Sequence, residues 1–152
     1  MSQLHEIIYA SQRSPGLTNA RIVDDIVLPS SRTNRDLEIS GCLWFNDHRF
    51  LQVLEGPRDA VEQIYARIEK DTRHHHVNLI GHLAIEERSF NRWGMRALIG
   101  EHNSELDELV KHYLILHGRE ESRTTNSPGV HRVRGLLAKM LRHENEAGTP
   151  TV

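Results

Sequence analysis

The order of apolar patterns along this 152-residue chain predicts an α+β fold. Three observations carry the expectation. Short runs with period-two alternation, or apolar on both faces, recur between turn residues. Two stretches with helical spacing interrupt them. Two further helical stripes follow the last extended run, where a half-covered sheet needs a second layer.

Leu4 to Ala10 is a strand rich in β-branched and aromatic residues, with His5, Ile7 and Tyr9 on one face. Ser14-Pro15-Gly16 closes it with turn chemistry. Thr18 can cap a helix in which Ile22, Val23, Ile26 and Val27 recur, and Pro29 is expected to kink or end that helix near Leu28. Ser30 to Asn34 follows as a polar helix end or loop. Glu38 to Phe45 and Arg49 to Glu55 read as a hairpin joined by Asn46-Asp47-His48. Gly56-Pro57 leads into the clearest amphipathic helix, carried by Val61, Ile64, Tyr65 and Ile68. It is expected to end around Asp71 to His76, where His74, His75 and His76 complement the helix dipole. A zinc site there is disfavoured, because adjacent side chains do not converge. Val77 to Ile85 and Trp93 to Ile99 are the last strands.

The resulting order is β-α-β-β-α-β-β. Its first six elements match a ferredoxin-like pattern, an antiparallel sheet with two helices on one face. Glu101 to His117 carries Leu106, Leu109, Val110 and Tyr113; the helix opened by Ser127-Pro128 carries Val130, Val133, Leu137, Met140 and Leu141. These two are expected on the other face, dividing the chain into a domain over 1–100 and a two-helix extension over 101–152.

Nineteen Lys and Arg against 21 Asp and Glu give a formal charge of −2, which marks neither a nucleic-acid nor an anionic-membrane binder. No apolar run is long enough to span a bilayer, and no secretory leader is apparent. The single cysteine, Cys42, excludes an internal disulfide and fits a reducing cytoplasm. There is no phosphate-cradling glycine loop, no nucleophile in a known setting and no His-Glu-x-x-His pattern, so the expectation is a non-enzyme.

One residue is out of place. Gln52 alternates with Phe50 and Leu54 in a strand whose other face, Leu51 and Val53, is also apolar. A buried amide needs partners, and leaving one unpaired costs about 1–3 kcal/mol. Gln52 and Tyr9 lie on neighbouring strands of the expected sheet, while Asn34, Arg73 and His74 lie at helix ends. Together they can line a pocket for a flat ligand with a polar edge. The alternative is that Tyr9 and Gln52 satisfy each other inside a protein-interaction module.

The ordered set Tyr9-x-Ser11, Ser30 with Asn34, Ile39-Ser40-Gly41, Phe50-x-Gln52-x-Leu54-Glu55-Gly56, Asp71-x-Arg73-His74 and Arg88-x-Phe90-x-x-Trp93-x-Met95 resembles a BLUF domain, the blue-light receptor that uses FAD. The resemblance covers roughly residues 4–98, and the last two helices are similar to the C-terminal pair of short, stand-alone BLUF proteins. It implies FAD between the two helices, with Asn34 on the ring's amide edge and Arg73 and His74 beside it. Ser30 and Thr33 complete the polar contacts, and Ile26, Leu43, Phe50 and Ile68 sandwich the ring. Tyr9 is implied as light-driven electron and proton donor, Gln52 as relay, and Trp93 and Met95 as the signal output. It further implies homo-oligomers and a downstream protein partner. Thr33 and Gly94 depart from the family's usual residues.

Overall fold

The computed structural model describes residues 3–90, 95–115 and 128–146. Strand β1 (Leu4–Arg13) is followed by a helix in three parts: an α turn, α1 (Asn19–Arg21), a π-helical segment (Ile22–Val27), and α2 (Leu28–Asp36). Next come β2 (Ser40–Phe45), β3 (Arg49–Pro57), α3 (Arg58–Glu69), β4 (His74–Ala84), β5 (Arg96–Ile99), α4 (Glu105–Ile115) and α5 (Pro128–Glu146). The sheet order is β4-β1-β3-β2-β5. Neighbours among the first four strands run antiparallel, as the ferredoxin-like pattern requires. β5 instead pairs with β2 in parallel, so the sheet is mixed rather than antiparallel throughout.

Both faces of this sheet are covered, and strand parity sorts the side chains. Ile7, Leu43, Phe50 and Leu54 pack with Ile22, Val27, Val61 and Ile64 from the two helices that follow β1 and β3. Ile8, Cys42, Leu51, Val53 and Leu98 pack with Leu106, Val110, Val130, Val133, Leu137 and Leu141 from α4 and α5. Alternation in β3 thus sends Phe50, Gln52 and Leu54 one way and Leu51 and Val53 the other.

Several boundaries differ from the sequence expectation. The helix does not end at Pro29. Pro29 has no N–H to return to the Asp25 carbonyl, four residues back, and the widened π turn absorbs it. The Asp25 carbonyl accepts from Arg73 Nη1 at 3.1 Å. Glu38 is no strand residue: at φ 59° it makes a left-handed turn, and β2 starts at Ser40. His74 to His76 open β4 rather than close the preceding helix, so they complement no dipole. Trp93, Gly94, the linker 118–126 and the Ser127 cap lie outside the described residues, as does the first part of the strand expected from Trp93.

A polar junction ties α4 to the β2–β3 hairpin. Asn46 Oδ1 accepts from the N–H of His48 and of Arg49, both at 2.9 Å, and Asn46 Nδ2 donates to Asp107 Oδ1 at 2.8 Å. Asp107 also accepts from Arg49 Nη1 and Asn103 N–H at 3.0 Å each, while Ser104 Oγ caps the helix by accepting from Asp107 N–H. Burial raises the Asp107 pKa, but the Asn103 and Asn46 hydrogen bonds and the Arg49 and Lys111 charges outweigh it, leaving it below its usual 3.8. Its stabilisation is therefore present above that value and is lost as pH falls through the depressed one. Asp107→Ala should cost about 1–3 kcal/mol, since it leaves the buried Asn46 amide and the Asn103 N–H without their acceptor. Asp107→Asn should flatten the acid limb of stability in urea titrations run from neutral pH downward.

Candidate functional site

A cleft of about 250 Å³ opens between the helix through Leu28–Asp36 and α3, over the β1–β3 face of the sheet. Its floor follows from strand register. Tyr9 and Gln52 are direct cross-strand partners, and Leu43 is the partner of Gln52 on its other side. The β1–β4 register slips on both sides of Ala10, between Ile8 and Tyr9 and again before Gln12. Such irregularities re-aim side chains, often beside functional sites.

Tyr9 is 4 % exposed and Gln52 is 6 % exposed. The Tyr9 hydroxyl donates to Gln52 Oε1. That fixes the amide, so Gln52 Nε2 faces Met95, donating to its Sδ at 3.4 Å. Burial pushes the Tyr9 phenol well above its ordinary range, and Tyr65 and Asp71 push it further. The phenol is thus a neutral hydrogen-bond donor at any physiological pH. A thioether is a weak acceptor for an amide with two N–H groups. Among the described residues the Gln52 amide donates to Met95 alone, and Gln52 lines the cleft.

The walls are Ile26, Leu43, Phe50, Ile64 and Ile68, and Asn34 enters from α2 with 2 % exposure. Ser30 and Thr33 also line the cleft, although the Thr33 hydroxyl donates to the Pro29 carbonyl at 3.3 Å within its own helix. His74 stands edge-on to Tyr9 and Phe50, with ring centroids at 6.0 and 6.1 Å. Its Nε2 meets the Ile68 carbonyl at 2.6 Å, so that nitrogen must be the donor. Its Nδ1 lies 2.7 Å from Ser11 Oγ. Arg73 binds Asp71 through Nε and Nη2, the shortest contact being 2.6 Å. That bond holds the Asp71 pKa below and the Arg73 pKa above their ordinary values.

The structure thus gathers Tyr9, Ile26, Ser30, Thr33, Asn34, Leu43, Phe50, Gln52, Ile68, Arg73 and His74 around one space. Met95 reaches it through Gln52, and Trp93 is outside the described residues. Asp25, Pro29, Ile64, Arg67 and Asp71 line it too and were not singled out as site residues. Ile64 had a signal in the sequence: it lies four positions before Ile68 on the apolar stripe of α3, and the exposed Arg67 follows it three positions on. Among the described residues no group of three or more His, Cys, Asp or Glu is placed to hold a metal, and no helix is long and apolar enough to cross a membrane.

A cleft with apolar walls, two carboxamides and a phenol can hold an aromatic ring with a polar edge. The family comparison agrees: residues 4–96 match the model for BLUF, sensors of blue light using FAD. The chain belongs to the BLUF family. It is 33% identical over 89 residues to the photoactivated adenylate cyclase subunit beta of Euglena longa, spanning 59% of this chain and 10% of that protein. The chain thus spans about a tenth of the length of that relative. The dark-state structure of the BLUF protein BlrB superposes with a TM-score of 0.68 at 26% identity, covering 92% of this chain and 98% of that one. Klebsiella pneumoniae BlrP1, solved with FMN and cyclic diGMP, gives 0.60 at 29% identity over 76% of this chain and 36% of that one. BLUF domains are therefore flavin-using sensors, and the donor set of the cleft fits a flavin.

The Tyr9–Gln52 bond makes a prediction that needs no ligand. Gln52→Leu strands a buried hydroxyl and should lower stability by about 1–3 kcal/mol. Adding Tyr9→Phe should recover part of that loss, because both partners are then gone. Denaturant unfolding of the single and double variants checks this, and purely additive losses would count against the bond.

Proposed function

We propose that this chain is a blue-light photoreceptor that holds FAD in the cleft and signals through the Tyr9–Gln52 pair. A single observation supports this most directly: the buried Gln52 amide accepts from Tyr9 yet, among the described residues, has only a thioether for its own N–H groups. Bound flavin supplies absorption of blue light and an electron acceptor in its excited state. Phe50, Leu43, Ile26 and Ile68 exclude water from the ring, and Asn34 pairs with its amide edge. Arg73 is braced by Asp71, and His74 by Ser11 and the Ile68 carbonyl, so neither needs to reorganise as the ring enters.

With a flavin held in the cleft, Tyr9 would be the electron and proton donor to it, and its hydroxyl hydrogen already lies on the bond to Gln52 Oε1. Gln52 can donate and accept, so rotation or tautomerisation of its amide exchanges those roles without changing charge. Met95 is the output contact here, with Trp93 assigned alongside it from the family motif. The C-terminal helices, residues 101–152, form an extension to the sensor over 1–100 and present the surface for a protein effector or for self-association. The chain carries out no reaction of its own on a substrate.

Purified protein should be yellow and show a reversible red shift under blue light. Gln52→Leu should keep the colour and lose the normal light-minus-dark difference. Chromatography of the cofactor released by denaturation should give FAD, and FMN would correct that part of the reading. Protein that takes up no flavin would leave Tyr9 and Gln52 as an internal pair in an interaction module.

A further inference from the structure

The sheet face away from the cleft carries two buried carboxylates that the photochemistry does not use. Glu6 on β1 and Glu55 on β3 are direct cross-strand partners, and both are 0 % exposed. Like charges placed opposite each other on a sheet repel, and each buried carboxylate needs its own compensation. They find it in different places. Glu6 accepts from Arg134 on α5 through Nε at 2.9 Å and Nη2 at 2.5 Å. Glu55 accepts from the main-chain N–H of Ser89 and of Phe90, each at 2.8 Å at its shortest. Arg88 ties the same segment down, donating to Ser40 Oγ at 2.8 Å and to the Glu55 carbonyl at 3.0 Å.

The two carboxylates feel one another and share a cation. Burial raises the Glu55 pKa, the Ser89 and Phe90 N–H groups oppose this, the charge of Glu6 raises it again and the charge of Arg88 lowers it. The hydrogen bond to Glu6 raises the Arg134 pKa, with the charges of Glu6 and Glu55 adding to it. Along the chain, the main chain held by Glu55 lies five positions before Met95, whose Sδ accepts from Gln52. On the far side, Arg134 lies between Val133 and Leu137, which are fully buried against the sheet.

We propose that Glu55, Glu6 and Arg134 are positioning residues that couple the Gln52–Met95 contact to α5. The proposal rests on the reading of Gln52 as the switch. A shift of Met95 that carries along the chain to the Ser89 and Phe90 N–H groups takes from Glu55 part of its compensation. Arg88 is already committed to Ser40 Oγ and to the Glu38 and Glu55 carbonyls, so the cation that Glu55 then draws is Arg134, at the expense of Glu6 and of the hold on α5. A static clasp differs in one respect: Arg134 would hold α5 equally whatever happens at Met95.

The test is a double-mutant cycle of Met95→Ala with Arg134→Gln, read by hydrogen exchange of the 130–141 segment in darkness, with or without flavin. The effects should be non-additive by threefold or more in exchange rate, and should become additive in a Glu55→Gln background. Additivity in the parent chain overturns the proposal. If Glu55→Gln does not fold, Glu6→Gln takes its place, and persistence of the coupling there is equally fatal. In flavin-loaded protein, Glu55→Gln should keep the red shift but lose most of the light-minus-dark difference in α5 exchange. A wild type that shows no red shift defeats the Gln52 reading instead, and the dark cycle still decides the coupling.

Discussion

The cross-strand pairing of Tyr9 with Gln52 is the constraint from which the site follows. Their hydrogen bond forms only if β1 and β3 are antiparallel and in this register. A slip of one residue would turn Gln52 against α4 and α5 and present Val53 to the cleft. The register is strongly determined, because both faces of β3 are buried in apolar layers of different composition. The helices that build those layers therefore fix a bond to which they contribute no atom.

Burial gives that bond its character. In water a phenol and an amide have many partners. Here, among the described residues, Tyr9 bonds to Gln52, and the amide answers it with its carbonyl oxygen. The orientation of Gln52 is thus dictated by its neighbours, and a new acceptor or donor in the cleft can reverse it. A polar group with few partners in a low-dielectric setting is sensitive to any change among them. Arg73 and His74 are the opposite case, each held by several bonds.

Much of the site was legible because period-two alternation is an unambiguous signal where strands are short and apolar. It placed Tyr9 on the face shared with Ile7, and Gln52 on that of Phe50 and Leu54, before any coordinates. The failures have physical causes too. Pro29 looked like a helix end because propensity treats a proline locally, whereas a widened turn upstream accommodates it. His74 looked like a helix terminus because a run of histidines carries no strand period. β5 was expected in the sheet, but its parallel direction depends on where the chain re-enters. The Glu6–Arg134 pair was invisible for another reason: 128 positions separate its members, and neither lies in a motif.

The π-helical segment has a consequence for angular phase. Ile22 and Asn34 are both buried, at 0 % and 2 %, yet they lie twelve positions apart. At about 100° per residue, a regular α-helix would place them about 120° apart around the axis. A π turn takes up roughly one extra residue, which reduces the offset to about 20°. The same helix can then anchor itself in the apolar core at its start and aim an amide into the cleft near its end. Straightening it would rotate Asn34 out toward solvent.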